Sequence, residues 1–517
     1  MKESEFLNLK YKPRESDLIC LFRVEPAGVS IKKAAENIAL ESSTGTWAEV
    51  KTEKKYMQNL AAKVFSIRGN LVKIAYPSAL FEKGNAPNIL SSIAGNIFGM
   101  KIVKNLRLED IKIPKEIIKS FYGPQFGISG IRKMLKVYDR PLLGTIIKPK
   151  LGLKTREHAK VAYEAWLEGC DIVKDDENLA SQNFNEFEER LARSLEMANK
   201  VEEETSEKKA YLINVTAETK EMMKRAQLVE DLGGKFVMLD VVTEGFGALQ
   251  SLREADFKLA IHAHRAMHAA FTRNKKHGIS MLVLADILRL IGIDSLHIGT
   301  IVGKMEGDEK EVEELEEEIE KKKVKETKGR LSQNWGKIKP VMAVSSGGLH
   351  PGRVPYLIKH LGKNIIIQAG GGIHGHKKGT IAGTNENTFN EQEESDPVIE
   401  DIEVAMELLR EQINLKANRK GYMVGNCIIK DAGDMIDLTK LGSGGYGIPS
   451  NVEPNIIEFK KIDADFILMV EKAAVWERLN EDKFWKKYNC VLMTGEGQPS
   501  RGVRRMLHRL CYETKIP

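Results

Sequence analysis

Between about residue 140 and residue 372 the chain alternates short apolar, β-branched runs with amphipathic stretches, a rhythm that implies parallel strands joined by crossover helices. Eight runs read as strands: LLGTIIKP (142–149), CDIVKDDE (170–177), AYLINVTA (210–217), FVMLDVV (236–242), LAIHAHRA (259–266), SLHIGTI (295–301), PVMAVSSG (340–347) and NIIIQAGGG (364–372). Helical periodicity falls between them, at 155–169, 184–205, 219–232, 247–254, 280–291, 309–323 and 353–361. Eight strands with seven intervening helices predict an α/β protein built on a (β/α)8 TIM barrel. Polar residues of the runs gather at their C-terminal ends. Lys148, Lys174, Asp176, Glu177, Asn214, Asp240, His264, Arg265, His297 and Ser346 would ring one mouth, the end where barrel enzymes carry their catalytic groups. A doubly wound sheet shares the alternation but gathers its site at one switch point rather than drawing on nearly every strand.

The flanks have other textures. Residues 1–135 mix short runs such as ICLFRV (19–24) and LVKIAYP (71–77) with a helical stretch near 31–40, which predicts an α+β domain ahead of a barrel spanning 136–383. The charge run at 305–330 places Glu before Lys at helical spacing and reads as a solvated outer helix with i,i+4 pairs. After Gly383 the alternation stops where an eighth barrel helix should follow. A polar, acidic stretch (384–397) leads to an amphipathic helix (398–416), a Gly-rich stretch and one further strand-like run, ADFILMVEK (464–472). A boundary near 384 is expected, with the barrel lacking its own eighth helix.

The 517 residues fit two to four domains. The net charge of +6 is too small to argue for a nucleic-acid partner, and none is expected. Five scattered cysteines without a CxxC pair suggest neither disulfides nor zinc, and a reducing cytoplasm is expected. The polar N-terminus does not resemble a signal peptide, and no apolar stretch approaches the roughly 20 residues that cross a bilayer.

Chemistry concentrates in Lys174-Asp175-Asp176-Glu177 at the end of the second run. Two carboxylates there can bind a hard divalent cation through oxygen, and the run by itself reads equally as a surface salt-bridge cluster. A lysine beside them cannot ligate while protonated, but a carbamate formed on it with carbon dioxide would supply a third oxygen. Lys148 and Lys150, His264 and Arg265, and Lys304 in the loop after the sixth run add cations at the same mouth. Ser346-Gly347-Gly348 and Gly370-Gly371-Gly372 add backbone donors in the usual phosphate position of this fold. Two such pockets flanking one metal suggest a bisphosphate held at both ends.

Residues 1 to about 383 closely resemble the large subunit of ribulose-1,5-bisphosphate carboxylase/oxygenase, particularly the archaeal form III group. The resemblance rests on ESSTGTW (41–47), AGNIFGM (94–100), RPLLGTIIKPKLGL (140–153), KDDEN (174–178), HAHRAMHA (262–269), HIGTIVGKMEG (297–307), SSGGLHPG (345–352) and QAGGGIHGH (368–376). It implies that Lys174 is carbamylated and binds Mg2+ together with Asp176 and Glu177. Lys148 would help abstract the C3 proton of ribulose 1,5-bisphosphate, and Lys150 would steer its charge. His264 would serve later proton transfer, and Lys304 would stabilise the carboxylated intermediate. Arg265, His297 and Ser346 would hold substrate oxygens and phosphate, with Gly347, Gly348, Gly370 and Gly371 as phosphate contacts. Glu41, Thr46, Trp47 and Asn96 would complete the site of a neighbouring subunit, so the resemblance implies at least a homodimer. It further implies carbon dioxide as substrate with oxygen in a side reaction, and a bisphosphate drawn from AMP and nucleotide salvage. The alternatives are a carboxylase-like enolase or isomerase, or an inactive fusion.

From about 384 the chain instead resembles the A subunit of archaeal DNA topoisomerase VI. The motifs are NTFNEQEESDPVIEDIE (387–403), GSGGYGIPSNVEP (442–454), FILMVEKAAVWERL (466–479) and CVLMTGEGQPSRGVRRMLHRL (490–510). A partial Toprim-like α/β segment is expected, with Glu471 as its possible Mg2+ ligand. The tyrosine nucleophile and the Asp-x-Asp metal pair of that family are not in the segment, so DNA cleavage is not expected. Arg501, Arg504, Arg505 and Arg509 form a basic patch, read first as a solvated helix face.

Overall fold

The computed structural model describes residues 5–45, 52, 54–301, 309–349, 354–375, 380, 420–449, 451–454, 456–497, 499–514 and 516. Thr46, Trp47, Lys304, the expected boundary at 384 and the helix expected over 398–416 lie outside the described residues. Contacts divide the chain into two compact units, Met1–Thr384 with Phe389–Glu394, and Asn385–Thr388 with Ser395–Pro517.

The first unit opens with an antiparallel sheet of β1 (Asp17–Pro26), β2 (Lys63–Arg68), β3 (Leu71–Pro77) and β4 (Val103–Lys112). β1 lies between β3 and β4 in register Asp17 to Pro77 and Ile19 to Lys112, so Leu18, Cys20, Phe22 and Val24 are all buried. Helix Ile31–Glu41 starts where the Ser30 hydroxyl accepts the Lys33 N–H at 3.2 Å, an N-cap that relieves an orphan donor.

The barrel follows as β5 (Leu142–Ile146), β6 (Ile172–Lys174), β7 (Ala210–Asn214), β8 (Phe236–Asp240) and β9 (Ala260–His264). The two-residue β10 (Gly278–Ile279) leaves this succession to pair in parallel with β4, tying the N-terminal sheet to the barrel. After β11 (Ser295–Gly299) a small ribbon of β12 (Lys323–Val324) and β13 (Gln333–Asn334) intervenes, then β14 (Met342–Ser346) and β15 (Ile365–Gln368). Without β10, β12 and β13, the eight strands of this stretch close in parallel, in the order β11-β14-β15-β5-β6-β7-β8-β9.

The base of the barrel is filled and bonded. Helix Gly127–Leu135 presents Ile128, Ile131 and Leu135 to Leu142, Ile172, Leu212, Met238, Val344 and Ile366. Asp171 takes Arg140 at 2.6 and 2.8 Å, and Asp294 takes Arg253 at 2.7 Å, together with backbone N–H groups of Leu143, Phe126, Gly127 and Ile261. Side chains at this N-terminal end serve stability. Helix Glu309–Glu320, expected as a solvated helix, is half buried instead: Val312, Leu315, Ile319 and even Glu318 face inward, where Glu318 accepts the indole N–H of Trp335 at 3.1 Å.

The second unit has its own core of Met423, Ile429, Ile448, Val491, Met493, Val503, Met506 and Leu510. One sheet holds β16 (Tyr422–Gly425), β19 (Tyr446–Gly447), β21 (Phe466–Val470) and β22 (Cys490–Thr494). The other holds β17 (Cys427–Asp431), β18 (Asp434–Asp437) and β20 (Ile457–Ile462). β21 and β22 are parallel, joined through helices Ala473–Glu481 and Phe484–Lys487, the crossover that parallel pairing requires. Among the described residues no helix is long and apolar enough to cross a membrane.

Candidate active site

The strand period sorts the Lys-Asp-Asp-Glu run into two jobs. Lys174, 1% exposed, reaches the barrel interior, where its Nζ donates to the Asp175 carbonyl at 2.7 Å and meets Met238 Sδ at 3.0 Å. Asp175 turns the other way. Its carboxylate takes Arg190 Nε at 3.1 Å, the Tyr211 hydroxyl at 2.6 Å, His158 Nε2 at 3.1 Å and the Asn214 N–H at 3.1 Å. Burial would raise its pKa, but Arg190, His158 and Tyr211 outweigh burial and hold it ionised. Asp175 is thus a structural anchor behind the site.

Asp176 and Glu177 face the mouth. Asp176 Oδ2 pairs with Lys148 Nζ at 2.7 Å, and its Oδ1 accepts the Asn178 side chain at 3.1 Å. Glu177 pairs with Lys150 Nζ at 3.1 Å and lies 3.8 Å from His264 Nε2. Burial opposes its ionisation, but its own backbone N–H, His264, Lys174 and Lys150 bring it down from 4.5 to about 2. The Lys150 ammonium is correspondingly pushed up by Glu177. Burial acts in the opposite sense on Lys174, lowering its pKa against the pull of Glu177, Asp240, Asp176 and Asp175.

Around this pair the neighbouring strand ends converge. His264 Nδ1 bonds Asp240 at 2.6 Å, and its ring centre is 4.8 Å from that of His297. His297 Nδ1 meets the Ser346 hydroxyl at 2.9 Å. Gly347 (φ 113°) and Gly348 (φ 67°) turn the chain through the left-handed region that favours glycine. At Gly370 an added Cβ would lie 3.2 Å from Lys148 Cε, so glycine keeps room for that lysine, and Gly371 opens the turn Gly371–His374. Arg265, partly exposed, has its guanidinium pKa lowered by burial.

The remaining expected residues stand apart. Glu41 ends helix Ile31–Glu41, and Asn96, exposed, opens the turn Asn96–Gly99, both in the N-terminal domain. Glu471 follows β21 in the second unit with an exposed side chain, while its carbonyl accepts the Gly497 N–H at 2.7 Å. The basic patch is not a uniformly solvated face. Arg505 makes a bidentate pair with Glu453 at 2.8 and 2.9 Å, and Arg509, 2% exposed, bonds the carbonyls of Val452 and Ile457.

The donor set suits Mg2+: two hard carboxylates at one strand end, one held ionised, beside a buried amine whose charged form is disfavoured. A different trio among the described residues, Glu309, Glu313 and His360, also brings ligand atoms close together. There His360 lies 2.7 Å from Glu313 and 3.3 Å from Glu309, and Tyr356 donates to Glu309 at 2.6 Å, a pattern that hydrogen bonding among these side chains accounts for.

Residues 127–411 match the family model of the ribulose bisphosphate carboxylase large chain, catalytic domain, and residues 5–117 match that of its N-terminal domain. The chain belongs to the ribulose bisphosphate carboxylase large-chain family. The ribulose bisphosphate carboxylase of Methanocaldococcus jannaschii is 54% identical over 391 residues, covering 73% of this chain and 92% of that one. Among solved structures, the dimeric archaeal Rubisco of Hyperthermus butylicus superposes with a TM-score of 0.71 at 44% identity, covering 79% of this chain and 95% of that one. The octameric Rubisco of Pyrococcus horikoshii gives a TM-score of 0.70 at 44% identity, covering 79% and 96%. Downstream, residues 420–463 match the all-beta domain in the DNA topoisomerase VI alpha subunit. Residues 466–517 match the Toprim domain shared by Spo11 and the A subunit of topoisomerase 6. The Rubisco catalytic match runs to residue 411, past the 383 at which the barrel was expected to end.

Proposed function

We propose that this Rubisco-family chain adds carbon dioxide to ribulose 1,5-bisphosphate and, with water, cleaves the product to two molecules of 3-phosphoglycerate. The observation that carries this reading is the buried Lys174 amine, its charged form disfavoured, beside Asp176 and Glu177 at one strand end. Mg2+ held by Asp176, Glu177 and a carbamate on Lys174 would polarise the sugar's C2 carbonyl and C3 hydroxyl when bound. Lys148, against Asp176, lies beside the C3 carbon in this reading and assists removal of its proton. The electron pair left behind, shared as an enediolate, forms the new C–C bond to carbon dioxide. Water then adds at C3, the C2–C3 bond breaks with its electron pair left on C2, and a proton delivered to C2 completes the second 3-phosphoglycerate.

Asp240 holds His264 through Nδ1, which leaves Nε2 on the Glu177 side to move a proton. Lys150 remains charged and steers the substrate. Arg265 and Ser346 bind phosphate and hydroxyl oxygens, His297 acting there through its bond to Ser346, with the N–H groups of Gly347, Gly348, Gly370 and Gly371. Lys304 is assigned to the carboxylated intermediate. Glu41, Thr46, Trp47 and Asn96 are assigned to the site of a second subunit, in a homodimer or an assembly of dimers.

The domains are assigned as 1–135, 136–383 and 384–517, with Glu471 the remaining candidate ligand of the last. Oxygen competes with carbon dioxide and the bisphosphate comes from AMP salvage, both on the resemblance alone; the cytoplasmic setting rests on the five scattered cysteines. The test is incorporation of labelled bicarbonate into 3-phosphoglycerate by the Mg2+-loaded full chain, lost in Lys174→Ala. A folded dimer without turnover overturns the reading.

A further inference from the structure

Four side chains form one hydrogen-bonded line from the barrel interior to its mouth. Ser295 Oγ meets His262 Nδ1 at 2.9 Å, His262 Nε2 meets His297 Nε2 at 2.9 Å, and His297 Nδ1 meets Ser346 Oγ at 2.9 Å. Ser295, His262 and His297 are 3%, 0% and 5% exposed, while Ser346 is half-buried at the strand end. Burial drives both imidazoles well below their ordinary range, so each carries one N–H at neutral pH.

A line of two neutral imidazoles between two hydroxyls has two polarities. In the inward one, Ser346 donates to His297, His297 to His262, and His262 to Ser295. The Ser295 hydroxyl proton is then left over, because His262 is the partner of its Oγ among the described residues and no second acceptor faces it. A buried donor without an acceptor is costly. In the outward polarity Ser295 donates to His262 Nδ1, His262 Nε2–H to His297 Nε2, and His297 Nδ1–H to Ser346 Oγ. Every buried proton is then used, and the Ser346 proton is left for the mouth. A substrate oxyanion accepts and cannot donate, so it reinforces the same polarity.

We infer that Ser295 and His262 are positioning residues: they fix the His297 tautomer so that Ser346 presents a hydroxyl donor to an anionic oxygen of the substrate. Which oxyanion this is rests on the bisphosphate reading above. The geometry of the line does not.

Two measurements separate the inference from that reading. Ring 15N–1H correlation spectra of the histidine-labelled full chain should show His297 protonated on Nδ1, whether or not the protein turns over. A proton on Nε2 overturns the inference. In carboxylation assays His262→Leu should raise KM for ribulose 1,5-bisphosphate about tenfold with kcat within about threefold, and His262→Gln, which keeps a donor toward His297, should recover most of the loss. Adding Ser346→Ala to His262→Leu should cost at least about threefold less than adding it to the wild type, since the two act through His297. Additive losses, or a Gln variant as impaired as Leu, overturn the inference. Absence of wild-type turnover sinks the bisphosphate reading, and the ring spectrum still judges the polarity.

Discussion

β6 of the barrel and β21 of the second unit each run into acidic residues at their C-terminal ends, Asp176 with Glu177 in one and Glu471 in the other. The surroundings differ completely. Asp176 and Glu177 meet Lys148, Lys150 and His264, over a lysine buried to 1% exposure. Glu471 has an exposed side chain with no partner among the described residues. An acidic strand end is therefore a weak signal by itself. What gives it chemistry is a low-dielectric floor and opposed charges from other strands, which shift proton affinities in both directions.

The largest effect should come from removing the buried amine. Lys174→Ala is expected to lower carboxylation by about three orders of magnitude or more, the scale on which one member of a cooperating set fails, while leaving the fold intact by circular dichroism. Turnover within tenfold of wild type would place the chemistry elsewhere.

The anchor behind the strand comes next. Arg190→Ala leaves the fully buried Asp175 charge without its main partner and should cost about 3–5 kcal/mol in denaturant unfolding. A loss below about 1 kcal/mol would show that His158 and Tyr211 suffice.

Acidification gives a smaller effect. Glu177 is lowered from 4.5 to about 2, so the folded state binds fewer protons than the unfolded one across that window. Its contribution is present above about pH 4.5 and is lost as pH falls toward 2. Glu177→Gln should flatten that part of the stability profile, and an unchanged slope would assign it to other carboxylates. Glu471→Ala should do least, leaving carboxylation within about twofold and stability within about 0.5 kcal/mol, as expected of a surface change. A larger loss would erase the contrast between the two strand ends.

The barrel was legible because its strands are continuous apolar runs with charges at one end, and all eight lie within the expected stretches. The mouth residues were legible for the same reason. Asp175 was not: its partners come from two helices and the next strand, contacts that no local pattern records. The charge run 305–330 hid Glu318, since a Glu at helical spacing reads as solvated unless Trp335 is known to lie opposite it. Arg505 and Arg509 read as a patch, whereas Glu453 and two carbonyls engage them from some 50 residues upstream. The role of His262 is invisible in its local pattern because it depends on Ser295 and His297 on the adjacent strand.

The most direct measurement is Mg2+-dependent incorporation of labelled bicarbonate into 3-phosphoglycerate by the intact chain supplied with ribulose 1,5-bisphosphate. Incorporation in the wild type and none in Lys174→Ala is the expected result. A folded, Mg2+-loaded dimer that binds the bisphosphate and incorporates no label would contradict it.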